Sequence, residues 1–130
     1  MADAHERDLR EPVKMELANA MVRIYKAYFG RGPTKSRADF AGSDILVCTL
    51  EDGLTPGDRS LAAIGEHQRL REVHLLFQHA SKRSFCESVE RITGRTVRGF
   101  VSGLDTEQEI STEVFYLEPR AAAQPVHLVR

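Results

Sequence analysis

The chain has no tryptophan, only two cysteines, and few aromatics of any kind, 7% in all. Its longest clearly apolar run, "ILVCTL" at 45–50, is far shorter than the ~18 residues a membrane-spanning helix requires. The opening "MADAHERDLRE" lacks the apolar stretch of a secretory signal. Neither sign of charge dominates: 18 Lys and Arg stand against 19 Asp and Glu, for a net charge of −1. No global field therefore draws nucleic acid or anionic lipid. Cys48 and Cys86 lie far apart in apolar-looking stretches, so buried free thiols in a reducing compartment are expected rather than a disulfide or a metal pair. These absences predict a soluble cytoplasmic protein with no nucleic-acid partner and no direct membrane insertion.

What is present is ordinary for a folded domain: 130 residues, 42% of them hydrophobic and 28% charged. A chain of this length fits one domain with a real core. Residues 1–11 read as a polar N-terminal segment, 12–118 as a single domain and 119–130 as a mobile tail. Apolar residues Val13, Leu17, Ala20, Met21, Ile24 and Tyr28 recur at helical spacing from Pro12 to Phe29. Pro12 suits a first helical turn, and Gly30, with Pro33 beyond it, marks the stop.

Strands are expected at about 35–41 and 44–51, joined through Gly42-Ser43-Asp44. Ile45, Val47 and Thr49 then share one face, and Leu46, Cys48 and Leu50 the other. With both faces apolar, this strand should be covered on each side, by helices and by another subunit. Thr55 is positioned as an N-cap with Pro56 first in the helix and Asp58 three residues past the cap. Residues 56–93 read as helical, with phase lost near Gly65 and a face at Leu70, Val73, Phe77 and Ala80 continuing to Phe85, Val89 and Ile92. The spacing does not decide whether Ser81 caps a separate helix. Gly94 ends the helical section, and strands follow at about 95–103 and 109–118.

The halves resemble each other: helix, Gly-Arg, strand, Gly-x-Asp turn, strand. The predicted fold is therefore α/β of the α+β type: two αββ units joined by a helical middle. Its four-stranded sheet is mixed or antiparallel, with helices packed against it. Exposed sheet edges and the doubly apolar strand point to a homodimer.

Candidate sites are few. "GRGPTKSR" at 30–37 has the wrong order for a phosphate loop, because a helix ends there rather than begins. Gly30, Gly32 and Pro33 are explained by a cap and a turn, leaving Arg31, Lys35 and Arg37 as candidates for holding an anion or an acidic partner. Residues 59–98 carry eight Lys or Arg against four Glu, while 99–119 carry five acids and no base. Basic helices and an acidic hairpin would attract each other within the fold or across a dimer. His67, His74 and His79 are spaced by seven and five, neither of which puts two imidazoles on one helix face, so no metal site is expected. No nucleophile signature such as GxSxG occurs, and no cofactor or catalytic residue is indicated.

Three stretches, "YFGRGP", "ADFAGSDILVCTLEDGLTPGDRSLA" and "ESVERITGRTVRGFVSGLD", together resemble the bacterial MpsC family over about 12–118. That family was catalogued as a domain of unknown function before being named for a component of a sodium-translocating, membrane-potential-generating system. The resemblance implies a soluble accessory protein serving integral-membrane subunits linked to cation or bicarbonate movement, and it brings no catalytic residue. Arg31, Gly32 and Pro33, with Leu54, Thr55 and Pro56, match its best-marked positions, and Arg31 is the residue least explained by structure alone. The expected function is a non-catalytic interaction module. The alternative is a sensor of bicarbonate, phosphate or a nucleotide built on the 30–37 loop.

Overall fold

A computed structural model describes residues 4–120. Its elements are α1 (Ala4–Phe29), β1 (Lys35–Phe40), β2 (Ile45–Glu51), α2 (Pro56–Ala63), α3 (His67–Thr93), β3 (Val97–Asp105) and β4 (Ile110–Leu117). The strands form one sheet of order β1-β2-β4-β3, antiparallel throughout. The α+β class and the pair of αββ units are as expected. Each unit is a helix followed by a hairpin, and the two hairpins meet at β2 and β4.

The most apolar strands take the centre, and the edges carry charge: Lys35, Arg37 and Asp39 on β1, Arg98 and Asp105 on β3. Charged edges discourage further strand pairing. One sheet face is covered by helices. There Leu46, Cys48, Leu50, Phe115 and Leu117 pack with Leu17, Met21 and Tyr25 of α1 and Phe85 and Val89 of α3. Each large apolar side chain buried this way contributes about 1.5–3 kcal/mol.

Helix α1 starts earlier than its sequence suggests. It begins at Ala4, with Pro12 inside it, rather than at Pro12. An interior proline removes one helical hydrogen bond, but Glu6, Arg7, Leu9, Arg10 and Glu11 around it are strong helix formers. The middle section is two helices broken at Ile64–Glu66, and α3 runs unbroken through Ser81. Its buried face also differs from the apolar periodicity. Leu70, His74, Ser81, Phe85 and Val89 point inward, while Phe77 is 40% exposed and Ala80 is exposed. Of the expected tail, Pro119 and Arg120 are described; the rest lies outside the described residues.

Helices α1 and α3 both end on a glycine in the left-handed region, Gly30 at φ +82° and Gly94 at φ +72°, a conformation that costs glycine nothing. Arginine follows each. Helix α2 starts with a complete capping box: the Thr55 hydroxyl accepts from Asp58 N at 3.1 Å, and the Asp58 carboxylate accepts from Thr55 N at 3.0 Å. Thr55→Ala should cost about 1 kcal/mol, seen as a lower midpoint in chemical denaturation with an unchanged slope.

Candidate functional site

The three candidate cations do not converge. Arg31 Nη1 donates to the Leu54 carbonyl at 2.6 Å. Lys35 and Arg37 sit on β1, with side chains on the sheet face away from the helices, since Ser36 between them donates to the Ala18 carbonyl of α1 at 2.9 Å. Arg37 Nε donates to Asp39 at 2.8 Å. Gly32 and the buried Pro33 complete the turn between α1 and β1. Arg95, which follows Gly94 as Arg31 follows Gly30, has a matching role. Its Nη2 donates to Asp44 at 2.6 Å and to the Glu118 carbonyl at 2.8 Å. Each arginine thus grips backbone just beyond the second strand of its own unit.

Arg31 fixes a shaped loop. Asp52 has a positive φ of 62°, and its carboxylate accepts from the Thr34 hydroxyl at 2.7 Å. Gly53 lies under Tyr25: a Cβ there would stand 2.9 Å from the ring, so no larger residue fits without displacement. Thr55 and Pro56 then start α2 and carry Asp58 toward His74, whose Nε2 is 3.6 Å from the Asp58 carboxylate. The two loops singled out in the sequence, "GRGP" and "DGLTP", therefore act as the frame of something deeper.

That deeper feature is a cavity of about 230 Å³ between α1, α3, β3 and β4. Tyr25, Phe29, His74, Ser81, Phe85, Ser102, Leu104, Ser111 and Glu113 contribute to its wall. Its polar end is one row of the sheet. Glu113 is paired across the strands with Cys48 on one side and Ser102 on the other. The rows on either side of it are Leu50-Ser111-Leu104 and Leu46-Phe115-Phe100. A carboxylate thus stands in an otherwise mainly apolar interior.

Glu113 is only 2% exposed. Its Oε2 accepts from the Ser111 hydroxyl at 2.9 Å, while Oε1 has no hydrogen-bond partner. Burial pushes this carboxyl above the usual glutamate range, opposed by the hydroxyls of Ser102 and Ser111. The neighbours respond to the same low dielectric. Burial, with Glu113 adding to it, pushes the Cys48 thiol up to about 12, so it stays protonated and unreactive. Burial likewise raises the Tyr25 hydroxyl despite Ser111 beside it. His74 stacks on Phe29 with centroids 4.8 Å apart, and its Nε2 makes no hydrogen bond, the Asp58 carboxylate being 3.6 Å away. Burial lowers its pKa more than Asp58 raises it. The other two histidines weighed for a metal go elsewhere: His67 Nδ1 meets the Thr106 hydroxyl at 2.6 Å, and His79 is exposed. Cys86 is only half-buried, and both cysteines are free.

Of the cavity's polar residues the sequence marks only His74, as one of three histidines weighed for a metal, and Ser81, as a possible helix cap. The available signal was β4 itself. The alternation in "ISTEVFYL" puts Ser111 and Glu113 on the same side as Phe115 and Leu117, which marks a carboxylate facing the core.

Two outcomes follow from this geometry. Arg31→Ala should lower unfolding free energy by roughly 1–2 kcal/mol through loss of a charge-assisted hydrogen bond, and circular dichroism should show the native fold retained. Glu113 binds its proton more tightly folded than unfolded. The contribution of Glu113 to stability is therefore fully present below the ordinary glutamate range and is lost as pH rises through its folded-state pKa. Glu113→Gln should remove that loss, so the variant gains on the wild type at neutral pH when denaturation is followed against pH.

Among the described residues no helix is long and apolar enough to cross a membrane. No curated protein and no solved structure matches the chain. One family model does, that of MpsC, described as the Na+-translocating membrane potential-generating system, and it spans residues 10–119. That span takes in every strand, the "GRGP" and "DGLTP" loops and the whole cavity, and the chain belongs to the MpsC family.

Proposed function

We propose that this protein is a non-catalytic, cytoplasmic accessory module of a sodium-translocating, membrane-potential-generating system. In this reading it works as a homodimer joined through the uncovered face of its sheet. Family membership supports the system, and the bare face supports the mode of action. No described element covers that face, yet its centre is apolar: Ile45 beside Tyr116, Val47 beside Val114, and Val101 beyond, 57% exposed. An antiparallel sheet that met only water there would be expected to alternate to polar residues.

A second copy is the occupant that the edge charges favour. Lys35, Glu51, Ile110 and Asp105 form one row across the sheet, and Asp39, Val47, Val114 and Val101 another. A two-fold axis parallel to the strands lays β1 of one copy over β3 of the other. Lys35 then faces the opposing Asp105, and Asp39 lies toward Arg98. The interface is isologous, as a closed dimer requires. It leaves the exposed Leu75, Leu76 and Phe77 of α3 free to meet a membrane subunit. The 30–37 loop gains no support as an anion sensor, because Arg31 holds a backbone carbonyl and Arg37 an aspartate.

Sedimentation and light scattering test this directly. The wild type should be a dimer, and Val47→Asp should give a folded monomer. Leu76→Asp should stay dimeric. Lys35→Glu should weaken the dimer, and adding Asp105→Lys should restore it. A wild type that remains monomeric at high micromolar concentration sinks the proposal.

A further inference from the structure

We propose that the cavity above Glu113 is a binding site for a small organic cation, a protonated amine carried on a short apolar body. The observation that carries this is the Glu113 Oε1 atom. It belongs to a side chain that is only 2% exposed, lies in the wall of an open cavity, and has no hydrogen-bond partner. A buried acceptor without a donor is costly, the more so when ionised. The neighbouring groups relieve it only in part: Ser111 donates to the other oxygen, the Ser102 hydroxyl stands close enough to favour the charged form without closing a hydrogen bond to Oε1, and the Cys48 thiol on the paired strand is a weak donor at best. The missing element is a donor, and a positive one satisfies the charge as well as the hydrogen bond.

The rest of the wall selects the body of the ligand. Phe29, Leu75, Phe85 and Leu104 present apolar surface, and the hydroxyls of Ser102 and Ser111 stand around the carboxylate. An aromatic and aliphatic wall with a few convergent polar groups is the usual composition of a small-molecule site. About 230 Å³ far exceeds the ~10–15 Å³ that one water needs, so the space suits a small molecule better than a lone ion. The surroundings favour a cation as well. The nearby ring of His74 is held neutral by burial, and Arg71, the one arginine in the lining, is an exposed residue, unlike the buried Glu113. This inference does not depend on the dimer, whose surface is the opposite side of the same sheet.

Benzylamine is a suitable probe, with benzyl alcohol and benzoate as its neutral and anionic counterparts. In a heteronuclear NMR titration, benzylamine should shift the amides of Ser102, Ser111 and Glu113 saturably, at least tenfold more tightly than benzyl alcohol, and benzoate should not bind. Glu113→Gln, close in shape and free of charge, should reduce benzylamine to the level of the alcohol. Ser81→Leu, which fills the cavity while leaving the carboxylate in place, should block binding of both the amine and the alcohol, with thermal unfolding showing each variant folded. Equal binding of amine and alcohol overturns the proposal, as does unchanged binding to the Glu113 variant. So does displacement of benzylamine by sodium chloride beyond that by tetrabutylammonium chloride, a cation too bulky for the cavity, at matched ionic strength, since the site would then prefer an inorganic ion.

Discussion

The pairing of β2 with β4 is the constraint on which the rest of the structure depends. Each hairpin forms from neighbouring sequence, but this central ladder joins Ile45 to Tyr116 and Glu51 to Ile110 across most of the chain. It merges two half-sheets into one and lets α1 and α3 share a core. It also sets which side chains face inward. A one-residue slip would exchange the faces of a whole strand, moving Glu113 and Phe115 outward and bringing Thr112 and Val114 against the helices. The packing of Phe115 and Leu117 beneath Leu17, Met21 and Phe85 makes that slip prohibitive.

Around this ladder the two units use the same local device for different ends. Each helix stops on a left-handed glycine, and the next arginine ties down backbone past the unit's last strand. In the first unit that tie shapes the 52–55 loop under Tyr25 and aims Asp58 at His74. In the second it holds the corner where the β1–β2 turn meets the end of β4, with Arg95 bridging Asp44 and Glu118. The repetition is one of architecture. The difference is that only the first unit's tie lies beside the cavity.

Much of the fold was legible in the sequence, because alternation, capping and glycine stops are local signals. The four strands, the Thr55-Pro56 start and the Gly30 and Gly94 ends could be read that way. The rest depended on tertiary context. Pro12 looked like a start because an interior proline is disfavoured, yet the helix formers before it extend α1. The inner face of α3 departs from its apolar periodicity because two of its buried positions are His74 and Ser81, polar residues that adjoin the cavity. Arg31 looked free because its acceptor is a carbonyl, and a backbone acceptor 23 residues away leaves no trace in residue types. The cavity itself leaves no such signal, since it is assembled from four elements that no spacing links.

Strand β4 ends as a two-sided object. Ser111, Glu113 and Phe115 point into the cavity and core, while Thr112, Val114 and Tyr116 between them form the bare face. Sheets usually insulate one side from the other by their stiffness. Here the insulation is a single strand thick, and the inward group is a carboxylate held without a full set of partners. Any shift of the backbone at Glu113 is passed directly to its neighbours on the outer surface. Interior chemistry and exterior contact are thus written into alternate letters of one short segment, and neither can drift in evolution without disturbing the other.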